Sequence, residues 1–145
     1  VIDRHGYRGY IGSRAYFGQR APQHVQNLVI RDYCQRNGFT YLLSATEYAM
    51  EDCFMILEDV INEALKLEGV VFYTLNMLPR DKARRYEICS AFLDAGCTIH
   101  GAVENACAKS LEEYENLENL WSVRRLSEQA DTIIQQLAAT PEFLS

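Results

Sequence analysis

The sequence predicts an α/β domain: a doubly wound, mostly parallel sheet of four to five strands, followed by a C-terminal helical extension. Three observations carry this. β-prone runs alternate with helices that show one apolar stripe. Glycine and proline fall at the joints between them. At 145 residues, 48% hydrophobic and 23% charged, the chain suits one globular unit rather than a disordered segment.

The elements follow in order. Tyr7–Gly12 (YRGYIG) reads as a short strand, and a loop punctuated by Gly18 and Pro22 leads into a helix. Pro22 suits a first helical turn, Val25, Leu28, Val29 and Tyr33 keep helical spacing, and Asn37-Gly38 closes the helix as a left-handed cap. Thr40–Ala45 (TYLLSA) is the second strand and runs into Thr46-Glu47-Tyr48. Glu51 and Asp52 place negative charge at the next helix N-terminus, where the dipole favours it. Phe54, Leu57, Val60, Ile61, Ala64 and Leu65 form its apolar stripe, and Gly69 ends it. Val70–Leu75 (VVFYTL) is a continuous apolar run, as expected of a strand covered on both faces. Pro79 opens a third helix, Ile88, Cys89, Phe92 and Leu93 give it an inner face, and Gly96 caps it. Cys97–Val103 (CTIHGAV) is the fourth strand. This rhythm with right-handed crossovers makes a sandwich over residues 1–108.

Residues 109–145 change character. From Ser110 to Leu137 the pattern is helical and acidic, and Val123, Leu126, Ala130, Ile133 and Leu137 form a narrow seam. This segment either packs on the sheet domain or forms a dimer interface. No run is long and apolar enough to span a bilayer, and the N-terminal VIDRHGYRGY lacks a signal-like apolar core. The expectation is a cytoplasmic protein without membrane insertion.

The net charge of −6 argues against a nucleic-acid partner, since a sequence-independent DNA binder needs a basic surface. The charge is unevenly placed. Residues 1–38 hold six arginines against two aspartates, a net of +4, whereas 39–72 hold seven acids and one lysine, a net of −6. The N-terminal third therefore suits a small anion. The five cysteines (Cys34, Cys53, Cys89, Cys97, Cys107) are odd in number and show no CxxC spacing. They read as small apolar residues rather than as a disulfide framework or a zinc site. Neither a metal nor a cofactor is expected.

In an open parallel sheet, ligands bind at the carboxyl ends of the strands, near the point where strand order reverses. The segments there concentrate chemistry. After the first strand come Ser13, Arg14, Arg20 and His24; after the second, Glu47; after the third, Asn76 and Arg80; after the fourth, Glu104 and Asn105. Gly12 permits a tight turn beside a ligand. Arg14, Arg20 and Arg80, with Asn76, are the anion-binding candidates, because guanidinium groups fork phosphate or carboxylate. Arg80 is expected in the first turn of the third helix, on one face with Arg84, while Arg84 and Arg85 pair with Asp81 and Glu87 or with solvent. Ser13, His24 and Glu47 are the catalytic candidates, as hydroxyl, acid–base imidazole and carboxylate base. His100, inside a strand, reads as a satisfied core residue. GxxxxGK[ST] and GxGxxG are both absent.

The stretch YRGYIGSRAYFGQR, continued by APQHVQNLVIRDYCQRNG and LLSATEYAM, resembles the sporadic carbohydrate cluster protein family. VVFYTLNMLPRDKARR and AGCTIHGAVEN extend the match over residues 7–126. That resemblance implies a role in bacterial surface polysaccharide or lipopolysaccharide biosynthesis. A more distant likeness is to the catalytic domain of serine recombinases, the resolvase family. Gly9-Tyr10-Ile11-Gly12-Ser13 stands where that family has a strand like GYARVS, and Leu75-Asn76-Met77-Leu78-Pro79-Arg80-Asp81 where it has a corner like LDRLGRD. Ser13 lies near the nucleophile's place, one position closer to the Tyr, and Arg80 matches one phosphate-binding Arg. Gly12 and Met77 stand where the family carries arginines, and Asn76 replaces an Asp. The likeness implies a resolvase-like or flavodoxin-like sheet order, a dimer helix and not a functional recombinase, since two groups that would stabilise a phosphoryl transition state are missing.

Together these readings give an expectation. The chain binds or converts a small anionic carbohydrate metabolite (a sugar phosphate, sugar acid or nucleotide sugar) at the strand ends, as a homodimer without nucleic acid. The alternative is a non-catalytic dimeric scaffold or regulator with a degenerate resolvase-like pocket.

Overall fold

The computed structural model describes residues 4–15 and 20–138, apart from the side chains of 121, 123–129 and 132. Five strands form one sheet: β1 Tyr7–Gly12, β2 Tyr41–Glu47, β3 Gly69–Phe72, β4 Thr98–Gly101 and β5 Ala106–Ala108. Their order is β2-β1-β3-β4-β5, all parallel except the antiparallel β4–β5 pair. The helices are α1 Gln23–Arg36, α2 Met55–Asn62, α3 Lys82–Asp94 and α4 Leu111–Ala138. The expected α/β class, strand number and C-terminal helix are present.

Side chains alternate across β3 as the pleat demands. Val70 and Phe72 point to one core with Tyr10, Leu57, Ile88, Phe92 and Ile99, under α2 and α3. Val71 points to a second core with Ile11, Ile30, Tyr33 and Cys34, under α1. The sheet is thus covered on both sides, which explains why the sequence of β3 is uniformly apolar. Tyr114 and Leu117 join the first core, so the opening turns of α4 are part of the packing. Arg4 donates to the carbonyl oxygens of Leu67 (2.7 Å) and Ala95 (2.7 Å), closing the amino-terminal end of the sheet.

Several expectations need correction. β3 is shorter than Val70–Leu75: the chain leaves the sheet after Phe72, and Leu75–Met77 form a 3₁₀ turn. The fifth strand, within the expected four to five though not located in the sequence, is β5, which follows a turn in which Asn105 has φ 51°, a left-handed conformation that Asn tolerates. Glu51 and Asp52 lie in the turn before α2, with Asp52 at φ 54°. The negative charge at the α2 N-terminus comes from Glu47 instead. Its carboxylate accepts from the backbone N–H of Ile56 (3.2 Å) and Leu57 (3.1 Å). In α1 the buried side is Gln26, Ile30, Tyr33 and Cys34, while Leu28 is exposed. Arg80 precedes α3 rather than lying in its first turn. Arg85 is buried against Glu118 of α4, not paired with Asp81 or Glu87.

All five cysteines are free; Cys34, Cys89 and Cys97 are buried, Cys53 is half-buried and Cys107 is exposed. Burial pushes the Cys34 thiol up to about 11 and those of Cys89 and Cys97 up to about 12. Thiols so protonated are poor nucleophiles. Ala130, Ile133 and Leu137 of the predicted seam are exposed, while the side chains of Val123 and Leu126 lie outside the described residues. No helix among the described residues is long and apolar enough to cross a membrane.

Candidate functional site

Strand order reverses between the parallel neighbours β1 and β3. From the edge strand β2 the chain returns past β1 to place β3 on its other side. A cavity of about 380 Å³ opens there, at the carboxyl ends of these strands. Arg14 and Ala15 line it from the loop after β1, Asn76, Met77, Leu78 and Arg80 from the loop after β3, and Glu51, Asp52 and Phe54 from the turn after β2. Two guanidinium-bearing corners that are distant in sequence therefore share one cavity.

The first corner is held by a residue that the apolar pattern missed. Gln26 of α1 is 1% exposed. Its amide nitrogen donates to the carbonyls of Gly12 (2.6 Å) and Ala21 (2.8 Å), and its amide oxygen accepts from the Gly12 N–H (3.1 Å). The last residue of β1 is thus clamped from both sides, and Ser13, half-buried, follows it directly. Arg14 donates to the carbonyls of Met50 (2.7 Å) and Cys53 (3.1 Å), and its guanidinium lies 4.9 Å from the centre of the Phe54 ring. This pins the acid-bearing turn against the β1 corner. Arg84 lies 4.7 Å from the centre of the same ring, so two cations flank Phe54.

The second corner is fixed by Glu104. It accepts from the Leu75 N–H (3.0 Å) and from the Thr74 hydroxyl (2.6 Å), which itself accepts from the Asn76 N–H (3.3 Å). Gly101 makes this approach feasible, because a Cβ there would stand 2.6 Å from Leu75 Cγ and 2.7 Å from Glu104 Oε1. Asn76 and Arg80 project from the corner so held.

The structure gathers Arg14, Asn76 and Arg80 round the cavity, with Ser13 beside it in sequence. Arg20 and His24 are exposed and are not among the lining residues. Glu47 is 2% exposed, its two oxygens given to α2. His100 is buried between Tyr33 (hydroxyl to Nδ1, 2.8 Å) and Thr98 (hydroxyl to Nε2, 2.7 Å). Burial, aided by the charge of Lys109, lowers its pKa to about 4. The arginines of the N-terminal third do not act together as an anion surface: Arg4 binds carbonyls, Arg8 pairs with Glu63 and Arg36 with Asp32. Signals for Gln26 and Glu104 exist in the sequence. Gln26 is one helical turn before Ile30 and so on the inner face, and Glu104 is an acid at a strand end among apolar neighbours.

No family model matches the sequence, and no curated protein matches it. Solved structures share the fold, three of them as follows. A resolvase family site-specific recombinase from Streptococcus pneumoniae aligns over 90% of this chain and 96% of its own, with TM-score 0.58 and 10% identity. The N-terminal catalytic domain of TP901-1 integrase aligns over 85% of this chain and 98% of its own, with TM-score 0.60 and 15% identity. The C-terminal catalytic domain of ISC1926 TnpA, an IS607-like serine recombinase, aligns over 80% of each chain, with TM-score 0.52 and 16% identity.

These findings correct the expectation of function. The carbohydrate-biosynthesis role, with its sugar metabolite partner, finds no match and is withdrawn. The exclusion of nucleic acid is withdrawn too, because the matched proteins are recombinase catalytic domains. Net charge is a property of the whole molecule and does not by itself exclude a local anion site. Glu47, Glu63, Glu104 and Glu118 are engaged in internal hydrogen bonds, while Glu51 and Asp52 line the cavity together with Arg14 and Arg80. What the three structures establish is that this chain has the fold of serine recombinase catalytic domains.

Proposed function

We propose that this chain is a resolvase-fold domain that seats a DNA phosphodiester between Arg14 and Arg80, with Ser13 as the hydroxyl placed to attack phosphorus. The observation that carries the reading is the shared cavity: cations from the β1 and β3 corners line one opening at the reversal of strand order. Arg80 supplies the positive charge, Asn76 a neutral donor beside it, and Arg14 both charge and the shape of the rim. Arg20 and His24, exposed near the start of α1, are assigned to contacts with the flanking backbone. Glu47 acts by holding α2, and hence the turn of Glu51 and Asp52, in place. The reading places the protein in the cytoplasm, with DNA.

In the covalent step, the Ser13 oxygen forms a bond to phosphorus as the bond from phosphorus to a deoxyribose oxygen breaks. The serine proton leaves to water and the departing oxygen takes one up. A second reading, binding of the phosphate backbone without cleavage, is favoured by Gly12 and Met77, which stand where the resolvase pattern carries arginines.

Incubation with a labelled duplex carrying a nick near the point of attack, followed by denaturing electrophoresis, separates the two readings. A protein–DNA adduct that Ser13→Ala abolishes supports covalent chemistry. Retarded migration on native gels without an adduct supports the second. Absence of both contradicts the proposal.

A further inference from the structure

We infer that Arg85 is a positioning residue for the anion site, and that through Glu118 it makes that site depend on the docking of α4. The functional consequence rests on the phosphodiester reading; the mechanical coupling does not.

Arg85 is 4% exposed and carries a full charge. Burying such a group is costly unless its donors are satisfied. They are satisfied in two directions. On one side its Nε (3.0 Å) and Nη2 meet the two carboxylate oxygens of Glu118, a bidentate pair whose partner is itself 7% exposed. The Tyr114 hydroxyl donates to the same carboxylate (3.1 Å), so both α4 residues orient it. On the other side, Arg85 Nη1 donates to the carbonyls of Pro79 (3.0 Å) and Arg80 (2.7 Å). These carbonyls belong to the corner from which Arg80 reaches the cavity, ahead of the first turn of α3. No side-chain cap holds that helix start. One guanidinium therefore bridges α4 to the backbone of an anion-binding residue.

The bridge is directional. Arg85 cannot hold the corner without Glu118, since an uncompensated buried cation would turn toward solvent. Lifting α4 from the core removes Glu118, frees Arg85 and releases the Arg80 corner. Partners or forces that move α4 would thus act on the site without touching it.

The test compares wild type, Arg80→Ala, the paired change Arg85→Met with Glu118→Met, and the combination of all three. The paired change keeps roughly the same volume and leaves no lone buried charge, so it is less destabilising than Glu118→Gln, which strands the Arg85 cation; unfolding curves verify this. Binding of a labelled mixed-sequence duplex at low salt is expected to weaken about tenfold in Arg80→Ala, the scale of one charge-assisted contact. The paired variant should weaken by a similar factor, and adding Arg80→Ala to it should cost nothing further. Wild-type affinity in the folded paired variant, or losses that multiply, would overturn the inference. Hydrogen exchange at the amides of 80–85 reads the coupling without DNA. It should quicken in the paired variant while β3 and β4 keep their protection. If Arg80→Ala leaves DNA binding unchanged, the phosphodiester reading fails, and exchange alone decides: unaltered protection at 80–85 rejects the coupling as well.

Discussion

Gln26 and His100 show how polar groups can be buried at little cost when each has a partner. Gln26 closes three hydrogen bonds to backbone, two at Gly12 at the end of β1 and one at Ala21 ahead of α1. Its replacement by leucine strands the Gly12 N–H and carbonyl, and should cost about 2 kcal/mol. A lower urea midpoint at unchanged slope is the expected reading; an unchanged midpoint would refute the clamp. In His100 the tautomer follows from the neighbours. Thr98 gives its hydroxyl hydrogen to the Glu68 carbonyl (3.1 Å), so Nε2 carries the proton and donates to Thr98, while Nδ1 accepts from Tyr33. With the folded pKa at about 4, below the ordinary value of 6.5, the unfolded chain binds the proton more readily between these values. Stability is therefore full above about pH 6.5 and falls as pH drops toward 4, by on the order of 3 kcal/mol. The ring resonances of His100 should stay nearly fixed between pH 7.5 and 6, where an imidazole of ordinary pKa shifts. The sequence marks His100 as a core residue because it sits in a strand between apolar neighbours, but its partners come from β4 and α1 and are visible only in three dimensions.

At the level of elements, local pattern and tertiary packing agree for most of the chain and part where one residue serves two masters. β1 is a case in point. Gly9 lies where a Cβ would stand 2.2 Å from the Ser44 hydroxyl oxygen and 3.1 Å from Ser44 Cβ on the neighbouring strand β2. Gly9→Ala should destabilise by about 2 kcal/mol through overpacking, and Ser44→Gly added to it should recover at least half. Thermal melts of the single and double variants check this, and equal loss in both would reject the steric account. The alternation of strands and helices was legible because periodicity reports burial directly. The start of α2 was not, because Glu51 and Asp52 look like N-terminal acids in sequence while Glu47, from the strand before, occupies the position. α4 begins as pattern suggests: Ser110 accepts from the Glu113 N–H (3.2 Å), and Glu113 reaches back to the Lys109 N–H (2.6 Å), a capping box shifted by one residue.

At the level of the whole molecule, sheet order decides where chemistry can occur. Placing β3 beside β1 brings Asn76 and Arg80 to the corner that bears Arg14, the place that the rule for open sheets assigns to a ligand. Of the side chains named from sequence, Arg14, Asn76 and Arg80 line the cavity, whereas Arg20, His24 and Glu47 do not, and Glu51, Asp52 and Phe54 reach it from the turn after β2. The pairings of the supporting shell were not legible: the positions of Gln26 and Glu104 carry a signal, but their partners Gly12 and Leu75, like the two ends of the Arg85–Glu118 bridge, lie 14 to 33 residues away, and no local pattern encodes such pairings. Net charge does not report on the cavity, since −6 describes the far field while the cavity is lined by Arg14 and Arg80 as well as Glu51 and Asp52; the proposed phosphate would meet those arginines at close range.

The salt dependence of duplex DNA binding tests that claim most directly, measured on wild type and Arg80→Ala over a series of salt concentrations. A phosphate held by Arg80 predicts that the logarithm of affinity falls with the logarithm of salt, and that the variant's slope is shallower by about 0.9. Identical slopes and affinities, or a wild-type protein that binds no duplex at low salt, would contradict it.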